Sequence, residues 1–162
     1  MDDTMYETLK QTATAHIRAY EGPIPWDPNE TLKHRTPECV HYLHPKESIP
    51  EAFSRPLYQE DYRNALNHFA PVIERFSSDI SEMAVDVKQK MVTARITATF
   101  DFKAVRDDEP SEQGYKAEYM YLMEMDATGK KVVRFEEFLD VQRLLGYVAG
   151  KAERYNESRA GT

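Results

Sequence analysis

One stretch constrains the fold more than any other: residues 114–141, with the sequence GYKAEYMYLMEMDATGKKVVRFEEFLDV. Its two runs rich in Tyr, Met, Val and Phe predict β-strands of about ten residues each. Between them, DATGK at 126–130 predicts a tight turn, in which Gly129 supplies the positive φ angle and Asp126 accepts hydrogen bonds from its own turn. The stretch therefore predicts a β-hairpin.

Alternation along this hairpin places one carboxylate among apolar side chains. Successive residues of a strand point to opposite faces of the sheet. Because Glu137 would then lie in an apolar row, it is the strongest functional candidate in the chain. The two predicted faces are Ala117, Tyr119, Tyr121 and Met123 on the first strand, and Val133, Phe135, Glu137 and Leu139 on the second.

Composition narrows the class of protein. The 162 residues, 41% of them hydrophobic, predict a single globular domain over 1–162 with a core of about 3–157. A net charge of −7 disfavours nucleic acid and anionic membranes as partners. No apolar run approaches the roughly 20 residues of a membrane span, and the acidic N-terminus lacks the apolar part of a secretion signal. With Cys39 alone no intrachain disulfide can form, so we expect a cytoplasmic protein.

The first two helices are predicted from periodicity and capping. Residues 3–20 form an amphipathic helix with His16 on its buried face, where either a core role or a pocket-lining role is possible. A short second helix begins after Asp27, a natural N-cap, and extends to about Arg35. The cap by itself explains Asp27, and a catalytic role is the alternative.

A third helix is predicted over 59–76, with a kink at Pro71. His68 lies at the border of its apolar stripe, a position more typical of a surface or core-edge histidine than of a catalytic one. The segment 46–58 predicts a loop that could cover the mouth of a cavity.

The remaining stretches complete an α+β order, with helices first and antiparallel strands after them. The simplest architecture is a strongly curved antiparallel sheet folded over the N-terminal helices, with a hollow for a small apolar ligand in its concave face. The other predicted segments are an extended stretch at 39–45, strands at 80–87 and 91–104, a charged connector at 106–113 and a helix at 141–157.

Three histidines close together in the sequence, His34, His41 and His44, raise the possibility of a metal site. Zinc and iron sites use three or four convergent ligands, usually with one closely spaced pair. Cys39 is alone and no suitable histidine pair occurs, so a metal is not expected. In an extended segment, His41 and His44 would face opposite sides, and at most one would enter a pocket.

Several strings carry a resemblance to a known family. They are WDPNETLKHRTPECVHYLHP, YRNALNHF, AEYMYLMEMDATGKKV and RFEEFLDV, and together they span most of residues 20–140. The chain resembles SnoaL-like proteins of the nuclear transport factor 2-like superfamily, and especially fungal members from secondary-metabolite clusters, which include meroterpenoid isomerases and cyclases. This resemblance implies a cone-shaped α+β barrel.

The resemblance also implies an activity. Such proteins are cofactor-independent enzymes that act on polyketide- or terpenoid-derived substrates, use carboxylate, histidine and tyrosine groups, and are commonly dimers. The positions that match are Glu137, Tyr119, His41 and His68. The segment 22–25 appears longer than in the family, and His44 stands where relatives tend to be apolar; both features affect the shape of the pocket.

We expect Glu137 to act as the base of an isomerase or cyclase, because burial raises the pKa of a carboxyl group. Tyr119 or Tyr121 would stabilise an oxyanion, and a histidine would return the proton. Alternatives are a purely structural Glu137 paired with Arg95 or Arg134, a dehydratase of the scytalone dehydratase type, and a non-catalytic binder of a hydrophobic metabolite. The residues expected to contact a small hydrophobic substrate are His16, Trp26, Phe69, Tyr121, Met123, Phe135 and Leu139.

Overall fold

A computed structural model describes residues 3–160 of the chain. Five α-helices, five strands and three other helical turns follow one another in this part. The α-helices are α1 (Asp3–Arg18), α2 (Pro28–Leu32), α3 (Glu51–Ser54), α4 (Gln59–Phe69) and α5 (Ala149–Ala160). The strands are β1 (Arg35–His44), β2 (Ile73–Asp86), β3 (Met91–Phe102), β4 (Glu112–Met125) and β5 (Val132–Leu139). Lys46–Ser48 and Ala70–Val72 are 3₁₀ turns, and Gln142–Val148 is a π-helix.

All five strands form one sheet in the order β1-β5-β4-β3-β2. Strands β2 to β5 are joined as antiparallel neighbours, as predicted. The prediction of a wholly antiparallel sheet was wrong for β1, which pairs with β5 in parallel. The helices cover the face of the sheet that carries the core, which gives the predicted α+β cone. No helix within residues 3–160 is long and apolar enough to cross a membrane.

The strand faces follow the predicted alternation. On β3, Ala94, Ile96, Ala98, Phe100 and Phe102 are no more than 1% exposed. On β4, the face from Ala117 to Met123 is likewise buried. On β5, Phe135 and Glu137 are buried, but Val132 takes the inward place predicted for Val133. The reason is a register shift beside β4, where Val132 pairs with Met125 and Arg134 with Glu124.

The turn of the central hairpin has the predicted chemistry. Gly129 has a φ of 74°, and its amide donates to the carbonyl of Asp126 over 3.0 Å. The carboxylate of Asp126 accepts from the amide of Lys130, also over 3.0 Å. A Cβ on Gly129 would lie 3.0 Å from the sulfur of Met5, so close packing of α1 also favours glycine here.

Two helix ends were predicted wrongly. The second helix ends at Leu32 rather than near Arg35, because Arg35 already pairs with Val132 at the start of β1. The third ends at Phe69 rather than at residue 76, because Pro71 has no amide hydrogen to continue it. Residues 73–76 instead begin β2, well before the predicted start at residue 80.

Two further segments differ in detail from the sequence-based prediction. The predicted loop at 46–58 contains a 3₁₀ turn and the short helix α3. The predicted terminal helix is present, but its first part, Gln142–Val148, is a π-helix whose Leu144 and Val148 are buried. This segment therefore packs against the core as part of the fold.

Replacement of Phe100 tests the packing of this core. Its ring is fully buried and lies 4.8 Å from the ring of Phe76 and 5.4 Å from that of Phe102. We expect Phe100→Ala to lower the free energy of unfolding by about 3–5 kcal/mol, because it removes apolar burial and leaves a cavity. Urea denaturation measures this loss. Phe138→Ala, at a ring that is 42% exposed, is the matched control and should cost less than about 1 kcal/mol; equal losses would contradict the assignment of the core.

Candidate active site

A cavity of about 60 Å³ lies in the concave side of the cone. Its wall is almost entirely apolar. Within the described chain, Glu137 is the one charged residue that lines it, accompanied by the polar groups of Tyr62, Tyr119 and Trp26. The other lining residues are Leu43, Phe53, Leu57, Ala65, Leu66, Phe69, Leu139, Leu144, Leu145 and Val148.

The parallel pairing of β1 with β5 brings Glu137 to His41. His41 lies opposite Phe135, and Leu43 lies opposite Glu137, so all four side chains project from one face of the sheet. The Oε2 atom of Glu137 is 2.9 Å from Nε2 of His41. Both residues are buried, Glu137 with 8% exposure and His41 with none. The carboxylate and the imidazole therefore form one buried pair beside the cavity.

Burial sets the protonation of this pair. It raises the pKa of Glu137 to about 7, although the nearby positive charge of Arg35 opposes the shift. Burial also lowers the pKa of His41 well below its usual value, and Arg35 adds to this effect. At neutral pH the imidazole is neutral, so its contact with Glu137 is a hydrogen bond rather than an ion pair.

The buried Arg35 continues the hydrogen-bonded pair of Glu137 and His41 on the side away from the cavity. Nη1 of Arg35 is 3.5 Å from Nδ1 of His41, and Nη2 donates to the hydroxyl of Tyr20 over 2.9 Å. The hydroxyls of Tyr20 and Tyr62 are 2.8 Å apart. The guanidinium also lies 4.4 Å from the ring centre of Tyr62 and 4.9 Å from that of Phe135. Glu137, His41, Arg35, Tyr20 and Tyr62 thus form one continuous polar network, the buried network.

The two predicted tyrosines of β4 lie in different places. Tyr119 lines the cavity, and Tyr121 packs behind the wall with its ring 4.8 Å from that of Phe135. Burial, and then the negative charge of Glu137, raise the pKa of both phenols well above the usual value. Both tyrosines are therefore neutral phenols at physiological pH, and of the two only Tyr119 reaches the cavity.

The structure brings six of the predicted site residues to the cavity or its buried pair. Glu137 and Tyr119 line the cavity together with Trp26, Phe69 and Leu139, and His41 stands directly behind Glu137. Three other predicted contacts, His16, Met123 and Phe135, are fully buried behind the wall rather than in it. His16 packs against the ring of Phe135 at 5.0 Å, and neither of its ring nitrogens has a hydrogen-bond partner within residues 3–160.

His68 lies outside the cavity. Its side chain is exposed on α4, and its Nδ1 is 3.3 Å from the side-chain amide of Asn156 on α5. The position follows from the helix itself, because the buried stripe of α4 is formed by Tyr62, Leu66 and Phe69, with His68 on the opposite side. We do not include His68 in the site.

His44 also points away from His41. Its ring stacks on Phe138 at 4.4 Å, and its Nε2 is 3.0 Å from the carboxylate of Glu136. One of the two histidines therefore enters the site, as their spacing predicts. No group of three or more His, Cys, Asp or Glu side chains between residues 3 and 160 is arranged to hold a metal ion.

Neither arginine considered as a structural partner for Glu137 pairs with it. Arg134 pairs with Glu124 and Glu136, and Arg95 pairs with Glu82. The cation near Glu137 is Arg35, which sequence reasoning missed because it was placed at a helix end. Strand alternation gave no signal for it: Cys39, His41 and Leu43 alternate toward the core, but the pairing of β1 with β5 shifts register between Arg35 and Val40. Tyr20 and Tyr62 were missed because they were counted only as members of apolar stripes.

Comparisons with known proteins identify the fold. No protein-family model and no curated protein matches the chain, but solved structures do. PrhC from Penicillium brasilianum has a TM-score of 0.75 at 18% identity, covering 96% of this chain and 94% of its own. BvnE pinacolase from Penicillium brevicompactum has a TM-score of 0.71 at 18% identity, covering 100% and 97%. A protein described as a SnoaL-like polyketide cyclase, from Jannaschia sp. CCS1, has a TM-score of 0.64 at 11% identity, covering 90% and 94%.

These likenesses confirm the predicted architecture. The chain has the same fold as solved structures described as SnoaL-like and as nuclear transport factor 2-like. Its similarity to PrhC and BvnE extends over nearly the whole of each chain.

The raised pKa of Glu137 predicts a pH-dependent stability. Between the ordinary value of 4.5 and about 7, the folded carboxyl group binds more protons than the unfolded one, so stability falls as pH rises through this window. The Glu137→Gln variant has no carboxyl group at this position, so its stability does not fall for this reason as the pH rises. The free energy of unfolding of Glu137→Gln, relative to that of the wild type, should therefore increase by about 2–3 kcal/mol from about pH 5 to about pH 8.

Urea denaturation of both proteins at the two pH values measures this change. Burial of His16 and His41 also makes stability depend on pH, but both proteins contain these residues, as they do Arg35, Tyr20 and Tyr62. Glu153→Gln, at an exposed site on α5, corrects for the loss of one negative charge. A difference between Glu137→Gln and wild type that stays constant with pH would contradict the raised pKa.

Proposed function

We propose that this protein is a cofactor-independent isomerase or cyclase that acts by acid–base proton transfer on a hydrophobic, polyketide- or terpenoid-derived intermediate bound in the cone. One observation supports this proposal above all others. A single carboxylate, Glu137, lies in an otherwise apolar cavity wall, is hydrogen-bonded to His41 and has a pKa near 7. A base works best when its pKa is close to the operating pH.

Glu137 can both remove and return a proton. As a carboxylate, it takes a proton from a carbon next to a carbonyl group or from a hydroxyl group of the substrate. Once protonated, it returns the proton at a second position, so the substrate is rearranged without a change of mass. A positioned base of this kind contributes roughly 10²–10⁴ in rate. His41 holds the carboxylate in place through the hydrogen bond to Oε2.

The rest of the wall suits a hydrophobic substrate. The apolar lining keeps water away, which strengthens every hydrogen bond made inside. Tyr119 is a neutral phenol in the same wall and can donate to a substrate oxygen. The names of two structurally similar proteins, a pinacolase and a polyketide cyclase, favour an enzyme over a passive binder.

Binding of a polycyclic substrate requires the cavity to open. The hollow of about 60 Å³ is much smaller than the roughly 300–1,000 Å³ of sites for drug-sized ligands. Two of the surrounding segments are short or irregular: α3, which carries Phe53, and the π-helix, which carries Leu144, Leu145 and Val148. Movement of these two segments would enlarge the space in front of Glu137 without disturbing the sheet.

A mass-resolved product assay tests the reaction. Purified protein is incubated with metabolite extract from a host strain that lacks this gene, and we expect a new product of unchanged mass. Loss of one water would instead establish a dehydratase. A compound that co-purifies without being consumed would establish a binding protein, and either of these two results would overturn the proposal.

Glu137→Gln tests the base. The amide preserves the shape of the side chain and can accept from His41, but it cannot take a proton. We expect turnover to fall by at least about 10²-fold, measured as the initial rate of product formation. Glu136→Gln, whose carboxylate contacts His44 and Arg134 instead of the cavity, is the matched control and should retain activity. Retained activity in Glu137→Gln would remove this residue from the mechanism.

The pH profile tests the protonation state. Because the active form of Glu137 is the carboxylate and its pKa is about 7, kcat/KM should rise tenfold per pH unit below about pH 7 and level off above it. A profile that falls as pH rises through 7 would show that the protonated acid is the active form.

A further inference from the structure

The buried network has two branches that meet at Arg35. The first leads through His41 to Glu137, and the second leads through Tyr20 to Tyr62. Arg35 is 5% exposed, and its guanidinium contacts His41 on one side and Tyr20 on the other. An arginine side chain carries only hydrogen-bond donors. Its partners at both contacts must therefore present a lone pair, which sets the direction of every hydrogen bond beyond them.

The first branch ends in an acceptor. Because Arg35 faces Nδ1 of His41, that nitrogen carries no proton in the neutral ring. The single ring proton is then on Nε2, and it is donated to Oε2 of Glu137. When Glu137 takes up a proton, Nε2 cannot accept it, so the proton must lie on the other oxygen. This branch therefore leaves Oε1 to exchange protons with the cavity.

The second branch ends in a donor. The hydroxyl oxygen of Tyr20 accepts from Arg35, and the only other hydrogen-bond partner of this buried hydroxyl in the described chain is Tyr62. If Tyr62 donated to Tyr20, the proton of Tyr20 would have no acceptor, at a cost of about 1–3 kcal/mol. Tyr20 therefore donates to Tyr62. The proton of Tyr62 remains available, and Tyr62 lines the cavity.

The geometry of Arg35 is held by packing. Its guanidinium lies against the rings of Tyr62 and Phe135, which limit its rotation. Its charge faces Glu137 through the neutral ring of His41, so the ionised carboxylate compensates the buried cation. Tyr119 also lines the cavity, but it is not part of the buried network, so Arg35 does not set the direction of its hydroxyl proton.

We propose that Arg35 is a positioning residue that orients both branches, so that the cavity presents a base at Glu137 and a hydrogen-bond donor at Tyr62 to a substrate carrying a carbonyl group. The proposal rests on the proposed function. The carbonyl oxygen accepts from Tyr62, while Oε1 of Glu137 takes a proton from the adjacent carbon. The C–H electron pair becomes a C=C bond, and the carbonyl π pair moves to the oxygen held by Tyr62. The proton can return to another carbon when a second C=C bond of the substrate is conjugated with this enolate. The oxygen pair then re-forms the carbonyl group, the new C=C bond moves one position along, and the pair of the second C=C bond takes the proton from Glu137 at its far carbon. This completes an isomerisation with no other reactant.

The tautomer of His41 tests the first branch without any turnover. In protein with ¹⁵N-labelled histidine, we expect Nδ1 of His41 to be unprotonated at both about pH 6 and about pH 8. In Arg35→Met, Nδ1 should gain a proton at the lower pH, because neutral Glu137 can then donate to Nε2. Arg95→Met removes a surface arginine that pairs with Glu82, and it should behave as wild type.

Two results would overturn this branch of the proposal. One is a proton on Nδ1 of wild-type His41 at either pH. The other is an Arg35→Met protein whose His41 resonances match those of the wild type at both. If Arg35→Met does not fold, the protonation of Nδ1 of His41 in the wild-type spectrum still tests this branch. A chain with no enzymatic activity but the expected tautomer would reject the proposed function and keep the role of Arg35.

A small ketone tests the second branch. With carbonyl-¹³C cyclopentanone as the probe, we expect binding to wild type to move the carbonyl resonance downfield, as a hydrogen bond to its oxygen requires. Tyr62→Phe should abolish the shift, and Tyr20→Phe should reduce it while leaving the His41 tautomer unchanged. Tyr119→Phe should retain most of it. No binding to wild type, or an equal loss in Tyr119→Phe and Tyr62→Phe, would overturn the assignment of Tyr62.

With the substrate from the product assay, the kinetics of Tyr62→Phe and Arg35→Lys test whether the orientation set by Arg35 contributes to turnover. Tyr62→Phe should lower kcat by about 10²–10³-fold, as removal of one oxyanion donor does elsewhere. In Arg35→Lys, the retained charge should preserve much of the pH profile, while the loss of one of the two donor contacts lowers kcat. An unchanged kcat in both variants would show that the cavity does not use this network.

Discussion

The buried hydrogen bond between Glu137 and His41 is the interaction on which the site depends. It exists because β1 pairs in parallel with β5, the last strand in sequence, instead of with a neighbour in sequence. This one crossover joins residues 96 positions apart. It places a carboxylate and an imidazole where the apolar core of the cone excludes water, and that exclusion raises the pKa of the carboxyl group.

Burying the charged groups of this network lowers stability. A carboxylate and a guanidinium in the interior each lose hydration, and their mutual attraction only partly compensates. The structure limits this loss by placing neutral His41 between the two charges and by using tyrosine hydroxyls as further partners. The apolar core around it, with Phe100 and Phe102 at its centre, supplies the stability that offsets the cost.

The cavity wall and the buried network differ in the elements that supply them and in what they contribute to the site. The cavity wall comes from several elements and is mostly hydrophobic, so in the proposed enzyme it would select substrates by their shape. The network comes from α1, α4, β1 and β5, and its hydrogen-bond directions follow from the donor-only chemistry of one arginine.

Local pattern was enough to predict the hairpin, the inward face of β3, the turn at Gly129 and the position of Glu137 among apolar side chains, because all of these depend on neighbours in sequence. The prediction that His41 and His44 face opposite sides also follows from the two-residue period of a strand. The inward place of Val132 and the partnership of Arg35 with His41 and Tyr20 depend on long-range contacts. These were decided only by the tertiary structure, because strand pairing, register and helix ends are set by packing between segments far apart in the chain.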